Sequence, residues 1–195
     1  MPPFVALTGG LGAGKSTALA ALERLGAVVI SSDAVVHELY GASAVRDAVT
    51  ARFGAAVAPD GVVERAALAA RVFADQGDRA WLEQLLWPLV GEYIADWRDR
   101  NSQLEPPPRA LVVEVPLLFE AGSDHMYDAT IAVIADEKIR EARAKARGYQ
   151  ALAERQARQL TQQEKAARST FVVLNDGTVD ELESKLSSIL AMLDD

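Results

Sequence analysis

The chain is predicted to fold as an α/β protein in three layers, with a five-stranded parallel sheet covered by helices. Three observations predict it. Five short apolar runs alternate with helical patterns, which is the order that builds a parallel sheet. A glycine-rich loop joins the first run to the first helix. The last run is followed by an amphipathic segment that closes the chain.

The first run, Phe4-Val5-Ala6-Leu7, suits a strand buried on both faces. It leads into Thr8-Gly9-Gly10-Leu11-Gly12-Ala13-Gly14-Lys15-Ser16-Thr17. Two glycines that bracket four residues and are followed by Lys and Ser form the phosphate-binding loop pattern. Glycines let the backbone N–H groups of Gly10, Leu11, Gly12, Ala13 and Gly14 approach phosphate oxygens where a Cβ would obstruct. Lys15 supplies a compact charge for the outer phosphates, Ser16 a hydroxyl for Mg²⁺, and Thr17 continues the binding turn. The helix predicted over 16–25 presents Leu19, Leu22 and Leu25 at helical spacing and stops at Gly26. Its N-terminus adds a dipole and unpaired N–H groups to the anion site. A plain turn between two elements is the competing reading, but it has no need of Lys15-Ser16 at this spacing.

Half of the 195 residues are apolar and 25% are charged, so a globular core is expected and disorder is not. Cysteine is absent, which excludes disulfides and thiolate chemistry, and His37 and His125 are too few for a histidine-rich metal site. The apolar start runs directly into the glycine loop, so no signal peptide is expected, and no apolar run reaches the length of a membrane span. A soluble, cytoplasmic protein with no membrane partner is the expectation, as a monomer or weak homo-oligomer. The net charge of −8 argues against nucleic-acid binding. The charge is unevenly spread: residues 138–168 hold nine Lys and Arg against three Glu. A basic segment on an acidic protein suits a small, highly anionic ligand, although a solvated helix face also accounts for it.

The second strand, Ala27-Val28-Val29-Ile30, is followed by Ser31-Ser32-Asp33. Ligands of open α/β sheets lie beyond the carboxyl ends of the strands, so Asp33 is placed on the same rim as the glycine loop. It is also suited to cap a helix over 34–40. His37, one turn on, reads as a surface residue. A helix capped by Ser43 and stopped at Gly54 follows, then a turn at Asp60-Gly61 and a helix over 64–73 with Leu68, Val72 and Phe73 on one stripe. The longest helical pattern, 78–100, carries all three tryptophans, and Pro88 is expected to kink or divide it. Core packing explains the tryptophans, and an apolar wall for a long substrate is the alternative. Because the stretch 34–109 holds no strand, it reads as a helical acceptor-binding insertion.

Pro106, Pro107 and Pro108 mark a connector, and Ala110-Leu111-Val112-Val113-Glu114-Val115 is the third strand. Glu114, near its carboxyl end, is placed to orient Mg²⁺. The fourth strand is 130–134, and Asp136 is suited to cap a helix to Arg147. That helix and a second over 150–167 carry few large apolar residues. They read as a lid, about 138–168, bringing Arg140, Arg143, Arg147, Arg155 and Arg158 over bound phosphates. Phe171-Val172-Val173-Leu174 is the fifth strand, Asn175-Asp176-Gly177 its turn, and 178–193 the closing helix. The core then comprises about 1–33, 110–137 and 169–195.

These pieces describe a small P-loop kinase. No Asn-Lys-x-Asp element of a GTPase occurs, and Glu114 is followed by Val115-Pro116 where a motor or helicase ATPase carries an acidic pair. The chain resembles the dephospho-coenzyme A kinases from end to end. The resemblance is carried by residues 7–17, Asp33, Pro88, Arg143, Arg147, Arg155 with Gln159, and Val173-Leu174-Asn175-Asp176-Gly177. Val115-Pro116-Leu117-Leu118-Phe119-Glu120 is its most particular segment. The resemblance implies phosphorylation of the ribose 3′-hydroxyl of dephospho-coenzyme A by ATP with Mg²⁺. It implies that Asp33 meets the acceptor hydroxyl, that Arg143 and Arg140 neutralise charge on the transferred group, and that Asn175 contacts the adenine. The chain departs from the family pattern at Ser31, Trp87, Glu114 and Arg168-Ser169. A nucleoside monophosphate, shikimate or gluconate kinase, or a silent nucleotide-binding regulator, are the other readings.

Overall fold

A computed structural model describes residues 1–146 and 159–194. Strands β1 (Phe4–Gly9), β2 (Val28–Ser31), β3 (Leu111–Glu114), β4 (Ala129–Ile134) and β5 (Phe171–Leu174) form one sheet in the order β2-β3-β1-β4-β5. Every neighbouring pair is parallel. All five carboxyl ends therefore share one rim, with the loop after central β1 in the middle of it.

The alternation of strand side chains builds the two outer layers. Val5 and Leu7 of β1 face a core shared with Ala18 and Leu22 of α1 (Lys15–Arg24). The closing helix, Val179–Leu193, adds Leu182, Leu186, Ile189 and Leu190 to the same core. Thr178 caps that helix, its Oγ1 accepting from Glu181 N while the Glu181 carboxylate accepts from Thr178 N. Ala6 faces the other way, into a smaller cluster with Leu118 and Phe119 of the loop after β3. Phe4 meets both Arg98 and Tyr127, the guanidinium 4.4 Å and the phenol ring 4.6 Å from its centroid.

The chain divides into two compact units, one of Met1–Ser31 with Arg98–Asp195 and one of Ser32–Trp97. The second unit thus starts with the residue after β2 and ends inside the longest helix, earlier than the 34–109 expected. It consists of α2 (Ser32–Leu39), α3 (Ser43–Phe53), α4 (Arg65–Ala74) and the first part of α5 (Gln76–Asn101). Its core joins Val45 and Val49 of α3, Leu68 of α4, and Leu82 and Leu86 of α5. The side chain of Phe73 lies outside the described residues.

Four local expectations change. Ser43 is the first residue of α3 and Ala42 occupies the cap position, without a side-chain hydrogen bond. Asp33 lies inside the first turn of α2 and is not its cap, because the helix already starts at Ser32. Pro88 does not divide α5, which runs through it for 26 residues. The bulk of Leu82, Leu86, Ile94 and Trp97, all buried, holds the helix on both sides of the proline. The tryptophans separate as well. Trp97 is buried and Trp81 packs edge-on against Phe53, whereas Trp87 is 52% exposed. Among the described residues, no helix is long and apolar enough to cross a membrane.

Candidate active site

The loop between β1 and α1 takes its shape from glycine. Gly14 holds the cap position of α1 at φ 97°, and Gly12 sits at φ 77°, both in the left-handed region. Space is limiting as well. A Cβ on Gly12 would run into the backbone carbonyl of Arg140, and one on Gly14 into the side-chain amide of Asn175. No side chain caps α1 at Gly14, so the start of the helix is framed by loop backbone. Lys15 is half-buried and its Nζ donates to Gly10 O at 3.3 Å, while Ser16, in the first turn, is exposed.

Three side chains from distant parts of the sequence close on this loop. Asn175, just past β5, is 5% exposed and its Nδ2 donates to Ala13 O at 2.8 Å. Its own carbonyl accepts from Arg143 Nη1 at 3.0 Å. Arg140 is 9% exposed and its Nε donates to Leu11 O at 3.0 Å. Both arginines belong to α6 (Glu137–Ala146), which Asp136 caps by accepting from Lys138 N. The sequence reading makes α6 part of a poorly buried lid. Six of its ten residues are exposed, as that reading expects, while Arg140 and Ala144 are buried and Arg140 ties the helix to the loop. Asn175 likewise has a role the sequence did not disclose, because its amide nitrogen is committed to the loop backbone.

Beside the loop lies a cleft of about 560 Å³, bordered by Gly10, Arg140, Ala135, Asp136, Gln162 and Asp176. Its walls are tied by backbone-directed bonds. Gln162 both accepts from Ala135 N and donates to Ala135 O, at 3.0 and 2.8 Å, and Asp176 Oδ1 accepts from Asp136 N at 2.7 Å. Charge decides which side of this rim an anion can approach. A charge pair at 4 Å contributes roughly 4 kcal/mol at an effective dielectric of 20. A neutral hydrogen bond adds only about 1 kcal/mol. The cations Lys15, Arg140 and Arg143 stand on the loop side, and the Asp136, Glu137 and Asp176 carboxylates border the cleft.

The far wall of the cleft rests on a buried ion pair. Lys165 of α7 (Gln162–Arg168) is fully buried, and its Nζ donates to Pro116 O and meets Glu120 Oε1 at 2.9 Å. Burial holds the Lys165 ammonium below its usual range, against the pull of the Glu120 carboxylate. Thr161 caps α7 in a reciprocal box with Glu164, whose carboxyl is lowered by the bonds from Thr161. Residues 159–161 are therefore not helical, contrary to a continuous helix over 150–167. Arg147, Arg155 and Arg158 lie outside the described residues. At the positions that depart from the family pattern, Arg168 stacks 4.6 Å over Phe119 and Ser169 Oγ donates to Lys165 O at 2.8 Å.

A sequence profile of the dephospho-CoA kinase family matches residues 3–181. The chain belongs to this family. Dephospho-CoA kinases of Protochlamydia amoebophila and Geobacter sulfurreducens are 35% and 37% identical, over 95% and 96% of this chain and 93% and 97% of theirs. A solved structure from Thermus thermophilus covers 98% of each chain at 32% identity, with a TM-score of 0.80. The dephospho-CoA kinase of Campylobacter jejuni, at 21% identity and a TM-score of 0.72, shares the fold. The family is one of kinases, so the resemblance read from Val115-Pro116-Leu117-Leu118-Phe119-Glu120 is upheld.

Of the residues the sequence singles out, the structure gathers Gly10, Leu11, Gly12, Ala13, Gly14, Lys15, Ser16, Thr17, Arg140, Arg143 and Asn175 in one unit. Asp33 and Trp87 belong to the other, and both are exposed. Glu114 is half-buried at the end of β3, in register with Leu7 on one side and Ser31 on the other. The residues missed are Glu120, Lys165 and Gln162. The only sequence signal for them is that Glu120 ends the family's most particular segment.

Proposed function

We propose that this chain transfers the γ-phosphoryl group of ATP to the 3′-hydroxyl of the dephospho-coenzyme A ribose, releasing ADP and coenzyme A. The observation that carries the reading is an intact phosphate loop, with Lys15 and Ser16 in place and two arginines bound to its rim, in a dephospho-CoA kinase chain. In the transfer, the acceptor oxygen bonds to the γ-phosphorus as the bond from phosphorus to the β–γ bridging oxygen breaks. The electron pair leaves on ADP and the hydroxyl proton is lost late.

The roles follow from position. Lys15 and the N–H groups of Gly10, Leu11, Gly12, Ala13, Gly14 and Ser16 hold the β- and γ-phosphates, with Thr17 in the following turn. The remaining guanidinium nitrogens of Arg140 and Arg143 face charge that spreads during transfer. Asp33 orients the acceptor hydroxyl, and a loose transition state does not require a strong base. Asn175 supports the loop through its Nδ2 bond to Ala13 O, and its second amide N–H and side-chain carbonyl suit the adenine contact that the resemblance implies.

The residues also fit Mg²⁺. Ser16 offers a hydroxyl and Glu114 a carboxylate, both hard oxygen donors. Among the described residues no group of three or more His, Cys, Asp or Glu forms a protein cage. That suits a cation held by few protein ligands and mainly by nucleotide phosphates. Bound there, Mg²⁺ supplies charge neutralisation. The Ser32–Trp97 unit is read as the acceptor-binding part, with exposed Trp87 as its apolar face.

The test is ADP release from Mg-ATP against a panel of acceptors. Dephospho-coenzyme A is expected to raise ADP release far above the acceptor-free rate, with nucleoside monophosphates, shikimate and gluconate near background. No rise with dephospho-coenzyme A would end this reading.

A further inference from the structure

The loop after β3 and the wall of the nucleotide cleft are separate in sequence and joined by one charged pair. Glu120 and Lys165 are 45 residues apart. Glu120 Oε1 serves two partners, accepting from Leu160 N at 2.8 Å and meeting Lys165 Nζ at 2.9 Å. Lys165 in turn donates to Pro116 O, so the Pro116–Glu120 turn is bonded at both ends. Leu160 and the residues that follow it, Thr161, Gln162 and Gln163, border the cleft beside Gly10 and Arg140.

A fully buried ammonium is costly, and a pair of this kind often contributes little net stability compared with apolar side chains of the same volume. Its value is then sought in geometry. A simple apolar contact at this place would be non-directional and would let 160–163 slide. Three directed bonds to one carboxylate and one carbonyl set its distance from the sheet.

We infer that Glu120 and Lys165 are positioning residues for nucleotide binding: they fix the Leu160–Gln163 wall against the turn after β3 and so set the width of the nucleotide cleft. Neither side chain is assigned a contact with substrate. The inference rests on the proposed function and on taking this cleft, which Gly10 of the phosphate loop and Arg140 border, as the place of the nucleotide. It predicts a defect confined to the nucleotide, because the acceptor is assigned to other residues.

The experiment compares wild type, Glu120→Gln and the double variant Glu120→Gln/Lys165→Met. Three quantities are read: the dissociation constant of a non-hydrolysable Mg-ATP analogue, the steady-state constants for each substrate, and the thermal midpoint. Wild type must first bind the analogue. If it does not, the ATP reading fails and the positioning claim falls with it. Given wild-type binding, both variants are expected to bind the analogue about tenfold more weakly, the size of one lost directed contact. The acceptor KM, and kcat at saturating ATP, stay within about twofold of wild type, below any one-contact effect. The double variant guards against misfolding, since it leaves no unpaired buried charge. A double variant that folds and binds the analogue like wild type would show the pair to be merely structural. Equal losses in both substrates' constants would overturn the inference as well.

Discussion

The two compact units secure their functional residues by different means. Around the phosphate loop, polar side chains bond to backbone: Asn175 to Ala13, Arg140 to Leu11, Arg143 to Asn175, and Gln162 to Ala135. In the Ser32–Trp97 unit, apolar packing of Val45, Val49, Leu68, Leu82 and Leu86 does the holding, and Asp33 and Trp87 stay exposed on its surface. The difference follows from what each presents. A site made of backbone N–H groups works only if the backbone cannot shift, so its carbonyls must be tied. A surface that acts through side chains needs only a stable scaffold beneath it.

The widest contrast comes from removing one functional group on each side. Asp33→Asn is expected to lower kcat by about a thousandfold, the scale of one lost transition-state contact. The dissociation constant for the ATP analogue should barely change. Lys15→Met is expected to lower kcat comparably and weaken the analogue as well. An Asp33→Asn enzyme with wild-type turnover would reduce Asp33 to a helix-terminal charge. Next in size is Leu68→Ala. Leu68 is 1% exposed, and its truncation is expected to cost about 2–5 kcal/mol. Measured by denaturant unfolding, that loss should come with intact analogue binding at temperatures where the variant is folded. A smaller effect is expected from Asn175→Ala. Leaving Ala13 O without its partner should cost about 1–3 kcal/mol and weaken the analogue without altering the acceptor KM. An acceptor-side effect would break the separation drawn here.

The smallest effect concerns pH. Burial pushes the Tyr127 phenol up to about 12 from its ordinary 10.0. The folded state therefore favours the neutral ring. That contribution is complete below pH 10 and is lost as pH rises through about 12. The difference in stability between wild type and Tyr127→Phe should be flat below pH 10 and shift in favour of the Phe variant above it.

Much of this was legible in the sequence because it is local. The phosphate loop, the five strands and the closing helix each follow from runs of fewer than twenty residues, and they stand where expected. Capping boxes at Thr178 and Thr161 are short patterns too, although only the first helix start was anticipated. The long-range ties were not legible. Asn175 and Ala13 are 162 residues apart, and an asparagine past a strand says nothing about which carbonyl it will meet. The buried Lys165 was counted in a basic stretch, since a lysine's charge predicts solvent unless its partner is known. The burial of Arg140 in α6 has the same origin: its Nε meets Leu11 O, 129 residues away in sequence. Pro88 does not divide α5, because propensity is local while the helix is held by packing along its length.

The most direct test of the central claim is identification of the product. Dephospho-coenzyme A incubated with the protein and Mg-ATP is expected to yield one ADP per phosphorylated acceptor. Phosphorus and proton NMR should place the new phosphate on the ribose 3′-oxygen. ADP formed without a phosphorylated acceptor, or a phosphate at any other position, would contradict it.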